Sequence, residues 1–259
     1  QTMGSMVGLK NRLEPEIKNV AQTEGVTEEF VARGVEAGRI VIPRNPIHSP
    51  KACGIGEGLS VKVNVNVGTS RDRVEVEEEM EKVQISLKYG ADALMDLSTG
   101  GDIDSIRKRI LSECTIPVGT VPIYQTGIRL ARKGAVVDMT EDDIFNGIIQ
   151  HAKDGVDFMT VHCGITKELV DRLKRSPRVT GVVSRGGSFL VAWILHNEME
   201  NPLYKNFDYL LELAKEYEFT LSLGDGIRPG STNDATDGPQ INELINLGAV
   251  SYTHLTLPT

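Results

Sequence analysis

The chain contains no run of about 18 apolar residues, so no segment reads as a membrane-spanning helix. Its first residues, QTMGSMVGLKNR, lack the apolar core of a secretory signal. Excess positive charge is missing too: 28 Lys and Arg stand against 36 Asp and Glu, a net charge of −8. That balance argues against a nucleic-acid or anionic-membrane surface. There are only three cysteines, Cys53, Cys114 and Cys163, odd in number, far apart and in no CxxC pair. They fit a reducing cytoplasm and offer no metal site, and buried thiols are their simplest reading. The one glycine-rich GxGxG stretch, GIGEG at 54–58, follows no strand, so a dinucleotide-binding turn is not expected there.

What is present is an ordinary globular composition, 40% hydrophobic and 25% charged over 259 residues, enough for one large domain or two small ones. Two helices are expected first, Leu9–Gln22 and Thr27–Ala37, with Thr27 as N-cap. A Pro- and Gly-rich passage, PRNPIHSPKACGIGEG, reads as loop. From residue 59 strand and helix alternate. VKVNVNVGTS alternates valine with polar residues at strand period, and Val76, Met80, Val83 and Leu87 follow at helical spacing. ADALMDLSTGG, PVGTVPIY, VDFMTVHCG, VTGVVSRGG and FTLSLGDG supply five further strands, with helices between most of them. A last helix, Pro239–Leu247, carries Ile241, Leu244 and Ile245.

Apolar strands alternating with helices imply a parallel sheet covered by helices. Six such units favour a (β/α)8 TIM-type barrel over a doubly wound sheet, here incomplete and preceded by a short helical N-terminal segment. The expected division is 1–58 for that segment and its loop, 59–248 for the partial barrel, and 249–259 for a non-native tail. The closing SYTHLTLPT does not continue the preceding helical pattern, which points to a truncated gene.

In a barrel, ligands bind at the C-terminal ends of the strands. Those ends carry Asn66, Met95 with Asp96, Tyr124, His162, Ser184-Arg185-Gly186, and Asp225 with Arg228. Each has a plainer reading alone: Asn66 as a turn residue, Met95 and His162 as core, Asp225 and Arg228 as an ion pair bracing a turn. Together they suggest a cavity. Arginine beside small residues suits an anion, phosphate above all, while Asp225 would accept hydrogen bonds from hydroxyls or a ring amine. No strand end carries a lysine, which argues against Schiff-base chemistry. The residues reach a barrel binding a phosphorylated, hydroxyl-rich small molecule, and no particular catalytic residue.

The motifs VNVNVGTS, GADALMDLSTGGDI, PVGTVPIYQ, DGVDFMTVHCG, VTGVVSRGGS and LSLGDGIRPGS, in that order, resemble those of the phosphomethylpyrimidine synthase family of thiamine biosynthesis. The resemblance runs from about residue 9 to 248. It implies an atypical radical S-adenosylmethionine enzyme, a carbon–carbon lyase that converts 5-aminoimidazole ribotide to hydroxymethylpyrimidine phosphate. It also implies a [4Fe-4S] cluster and Zn(2+), a homodimer at full length and a cytoplasmic location. The family's substrate contacts fall on Asn66, Met95, Tyr124, His162, Ser184, Arg185, Gly186, Asp225, Gly226, Ile227 and Arg228. Its zinc-binding histidines and its CxxCxxxxC cluster motif are not matched here, and lie beyond the last residue. The chain as given is therefore expected to lack radical chemistry, because Cys53, Cys114 and Cys163 are too dispersed to close on one cluster. Two other functions compete: a 5-hydroxybenzimidazole synthase using the same ribotide, and an inactive ribotide-binding barrel fragment.

Overall fold

A computed structural model describes residues 13–132 and 134–255. Residues 9–12 of the first expected helix and 256–259 of the expected tail lie outside that range. The chain divides into two compact units. The first holds the residues through Gly119 with Gly155–Phe158 and Glu218–Thr220; the second holds Thr120–Asp154, Met159–Tyr217 and the residues from Leu221 onward.

The first unit opens with helices α1 (Glu14–Glu24) and α2 (Glu28–Glu36). Pro15 sits in the first turn of α1, where its missing N–H costs nothing, and left-handed Gly25 ends the helix. Thr27 caps α2 as expected, its Oγ1 accepting from the Phe30 N–H at 3.2 Å. Ile17, Val20 and Ala21 pack with Val31, Ala32, Ile40 and Ile42 into a core of their own. The passage expected to be loop contributes a short antiparallel pair, β1 (Ile40–Val41) with β2 (Ile55–Gly56). Gly56 permits it: φ is 149°, and a Cβ there would stand 2.8 Å from the Ile40 Cα. Next come β3 (Asn64–Val67), α3 (Val76–Lys88), β4 (Ala93–Asp96), α4 (Ile103–Glu113) and most of β5 (Val118–Thr120). β3 and β4 are parallel, with Asn66 opposite Met95.

The second unit contains α5 (Pro122–Ala131), α6 (Glu141–Asp154), the end of β6 (Phe158–Val161), α7 (Lys167–Arg175), α8 (Arg185–Asn197), α9 (Pro202–Lys205), α10 (Phe207–Tyr217), the end of β7 (Thr220–Leu223) and α11 (Gly238–Leu255). Ile144, Ile148, Met159, Ile165, Leu169, Leu190, Ile194 and Leu210 are all buried to 2% exposure or less. Helix α5 was not foreseen. Pro122 occupies its first turn, so PVGTVPIY changes from strand to helix midway, and Tyr124 lies in that helix rather than at a strand end. Helix α11 runs on to Leu255, past Leu247.

Strands β3 to β7 lie in chain order in one five-stranded sheet. Five is one fewer than the sequence pattern suggests. The missing strand is VTGVVSRGG, whose residues from 179 to 184 form no ladder. Its amides are satisfied by a side chain instead: Val179 N–H and Thr180 N–H donate to the Asp234 carboxylate at 2.9 and 3.0 Å. Val179 and Val183 are exposed, and Gly181 is left-handed at φ 64°. The apolar alternation here marks a loop braced by an acid, not a strand.

Candidate functional site

In the second unit, four of the expected site residues, Ser184, Gly186, Asp225 and Arg228, act on His162. This histidine follows β6 and is 2% exposed. Burial, helped by the Arg228 cation and opposed by Asp225, lowers its pKa to about 4, so it is neutral near pH 7. Gly186 packs against the ring: a Cβ there would stand 2.6 Å from Nδ1 and 2.9 Å from Nε2. Ser184 caps α8, its Oγ accepting from the Gly187 N–H at 3.2 Å, and lies 3.4 Å from both His162 Nε2 and an Arg228 guanidinium nitrogen. Two donors already reach that oxygen, which leaves its hydroxyl hydrogen free to point to His162 Nε2. The other ring nitrogen, Nδ1, has no hydrogen-bond partner among the described residues.

The Asp225–Arg228 loop follows β7, and two side chains that sequence reasoning passed over, Glu243 and Arg178, hold it, while a third, Asp234, holds the segment before Ser184. The Glu243 carboxylate of α11 accepts from the Gly226 and Ile227 N–H groups at 2.7 and 2.8 Å. Arg178 forms a bidentate pair with Asp237, at 2.6 and 2.9 Å, and donates to the Arg228 carbonyl at 3.3 Å. Asp234, with its pKa lowered to about 2 by the N–H groups of Thr180 and Val179 and by hydroxyls, fixes the segment before Ser184. Gly187 approaches the Gly226 peptide so closely that a Cβ would stand 2.8 Å from its carbonyl carbon. Gly226 and Ile227 are thus buried backbone, while the side chains of Asp225 and Arg228 are exposed. Among the described residues no ion pair joins Asp225 to Arg228, so the turn is not braced that way. The one sequence-level signal for Glu243 was an acid within an apolar helix, INELIN.

Arg185 is the exposed first residue of α8, and its guanidinium lies 5.1 Å from the centroid of the Tyr124 ring. Tyr124 is itself held edge-on by Phe189, with centroids 6.5 Å apart. The arginine therefore sits at the positive end of a 13-residue helix dipole, an arrangement that favours an anion.

Asn66 and Met95 belong to the first unit. Asn66 is exposed, accepts from the Asn64 Nδ2 at 3.1 Å, and is opposite half-buried Met95. The loops after β3 and β4 interlock: Thr69 N–H donates to Ser98 Oγ, Thr69 Oγ1 donates to the Gly100 carbonyl, and Thr99 N–H donates to the Thr69 carbonyl. Glu79 of α3 accepts from the Gly68 N–H at 2.7 Å. Asp96 is buried, and desolvation raises its pKa.

The cysteines present do not suit an iron–sulfur cluster. Cys53 and Cys114 are in the first unit and Cys163 in the second, all buried, with burial raising each thiol's pKa, that of Cys163 to about 12. Cluster ligands need the opposite, thiolates at close spacing. Among the described residues no group of three or more His, Cys, Asp or Glu could hold a metal ion, and no helix is long and apolar enough to cross a membrane.

The fold and site define an α/β protein whose strand-end loops gather an arginine at a helix N-terminus, a neutral buried histidine and a carboxylate. Residues 6–255 match the radical SAM ThiC family, and the chain belongs to that family. It is 56% identical over 241 residues to the phosphomethylpyrimidine synthase of Thermus thermophilus, covering 92% of this chain and 55% of that protein. It is 53% identical over 239 residues to phosphomethylpyrimidine synthase 2 of Methanothermobacter thermautotrophicus, covering 92% of this chain and 56% of the other. The match to the Thermoanaerobacter sp. synthase is 56% over 237 residues, covering 90% and 54%. The chain spans about half the length of the curated relatives it matches.

Proposed function

We propose that this chain is the substrate-binding part of a phosphomethylpyrimidine synthase, a lyase acting on 5-aminoimidazole ribotide in thiamine biosynthesis, in the cytoplasm and as a homodimer when full length. The observation that carries the reading is the convergence of Ser184, Gly186, Arg228 and the Asp225 loop on His162 in the second unit. Arg185, with Ser184 and Gly186, takes the phosphate; Asp225 accepts from ribose hydroxyls or the ring amine; Tyr124 orients Arg185. Asn66, Met95, Gly226, Ile227 and Arg228 complete the set, within a (β/α)8 barrel of which these five strands are part. S-adenosylmethionine, a [4Fe-4S] cluster and Zn(2+) complete the site in the longer protein. The cluster supplies the electron for radical chemistry, and this chain's residues hold and orient the ribotide.

The test is product formation. A protein of the relatives' length, given ribotide, S-adenosylmethionine and a strong reductant under anaerobic conditions, is expected to yield hydroxymethylpyrimidine phosphate. A hydroxybenzimidazole product instead, or ribotide left unchanged, would sink the assignment.

A further inference from the structure

Glu243 is 1% exposed, yet its carboxylate faces no lysine or arginine within ion-pair distance among the described residues. Its two oxygens are used on two successive backbone N–H groups, Gly226 at 2.7 Å and Ile227 at 2.8 Å. These are the middle residues of the loop whose flanking side chains, Asp225 and Arg228, act electrostatically on His162. The same side chain also touches the loop after β6. A Cβ at Gly164 would stand 2.8 Å from Glu243 Cγ, and one at Gly226 would stand 3.1 Å from Glu243 Oε1. One buried glutamate therefore braces the backbone on both sides of the His162 cluster. In the first unit Glu79 of α3, there paired with Lys82, takes the Gly68 N–H after β3.

Burying a carboxylate without a cation is costly, and bonds to N–H groups offset only part of that cost. A leucine would fill the volume at lower cost but would leave two buried N–H groups without acceptors. Glutamate at 243 is explained by what it holds in place.

We propose that Glu243 is a positioning residue that sets the Asp225–Arg228 loop in its ligand-competent geometry. This rests on the reading of that loop as part of the ribotide site. Glu243→Gln keeps the shape but puts an NH2 donor where one oxygen stood, so in the same geometry one of the two N–H groups faces a donor instead of an acceptor. The Gly226 and Ile227 amides are followed by NMR in the 259-residue chain. At least one is expected to shift upfield and to exchange with solvent at least roughly tenfold faster, whereas the Gly224 amide, bonded to the Val161 carbonyl at 2.9 Å, keeps its protection. Affinity for 5-aminoimidazole ribotide is expected to fall about tenfold.

Unchanged amides at 226 and 227 would overturn the proposal. So would their loss together with the Gly224 amide, since that is general unfolding, or loosened amides with undiminished affinity. If the parent chain binds no ribotide, it is the functional reading that fails, and the amide signals still decide whether Glu243 holds the loop. Should Glu243→Gln not fold, Glu243→Asp, which keeps the carboxyl group and withdraws it by one methylene, is expected to weaken the same two amides.

Discussion

Gly186 leaves the space that the imidazole of His162 occupies: a Cβ at 186 would come within 2.6 Å of Nδ1 and 2.9 Å of Nε2. The ring cannot retreat, because it is buried and its own carbonyl is held by Asn201 Nδ2 at 2.9 Å. Gly186→Ala gains up to about 1 kcal/mol of helix propensity in α8 but introduces overpacking worth about 1–3 kcal/mol. The clash wins. A drop of about 1–2 kcal/mol in denaturant-measured stability is expected, and a more stable Ala variant would show that the ring yields freely.

His162 gives a pH dependence of defined sign. Its folded pKa is lowered to about 4, against about 6.5 in an unfolded chain, so between those values the unfolded state binds the extra proton. Stability should fall as pH drops from about 6.5 to 4, by up to about 3 kcal/mol from this residue. In His162→Asn that slope should be smaller. Equal slopes in the two proteins would refute the assignment.

Arg185→Ala removes the charge at the start of α8 and is expected to weaken ribotide binding roughly tenfold to a hundredfold. Titration calorimetry with the ribotide and the dephosphorylated riboside separates the roles. If the substitution weakens both equally, Arg185 is not the phosphate ligand. Loss of the contact with Tyr124 alone would lower the melting temperature and leave the ratio between ribotide and riboside unchanged.

In the first unit, Asp157 is fully buried and accepts from the Asn45 N–H, the Val118 N–H and His48 Nδ1, at 2.8, 2.8 and 2.6 Å. His48 Nε2 faces the Cys114 carbonyl at 2.7 Å. Burial pulls the His48 pKa down, but the Asp157 carboxylate and the Cys114 carbonyl, one at each ring nitrogen, raise it on balance and favour the imidazolium form. Asp157→Asn leaves that cation without its counter-charge and is expected to cost about 3–5 kcal/mol in chemical denaturation. A loss below about 1 kcal/mol would mean that the pair is not charged. The contribution of His48 is complete below the unfolded value of about 6.5 and should fade as pH rises through its higher folded value.

Much of the fold was legible because local physics fixes it. Thr27 caps the helix it precedes, and the apolar period of Val76, Met80, Val83 and Leu87 placed α3. Asp225 does follow a strand, as the sequence pattern suggests, whereas Ser184 and Arg185 follow a loop and open α8. Tyr124 was placed by position and not by conformation, since a proline that begins a helix and one that ends a strand look alike in sequence.

By itself, the sequence determined most of the helical segments, though not Pro122–Ala131, which loops carry charge, and the family to which the chain belongs. Which face of a helix turns inward was decided only by tertiary structure. In α11 the apolar Leu244 and Ile245 are 69% and 61% exposed, whereas the neighbouring Glu243 is buried. Burying Glu243 there gives the Gly226 and Ile227 N–H groups their acceptors, and an unsatisfied buried amide costs about 1–3 kcal/mol. The same reason removes the strand at 179–184, where Asp234, more than fifty residues later in the chain, takes the amides a neighbouring strand would have taken. A partner that distant in sequence leaves no local trace, and its position is set only when the loops come together.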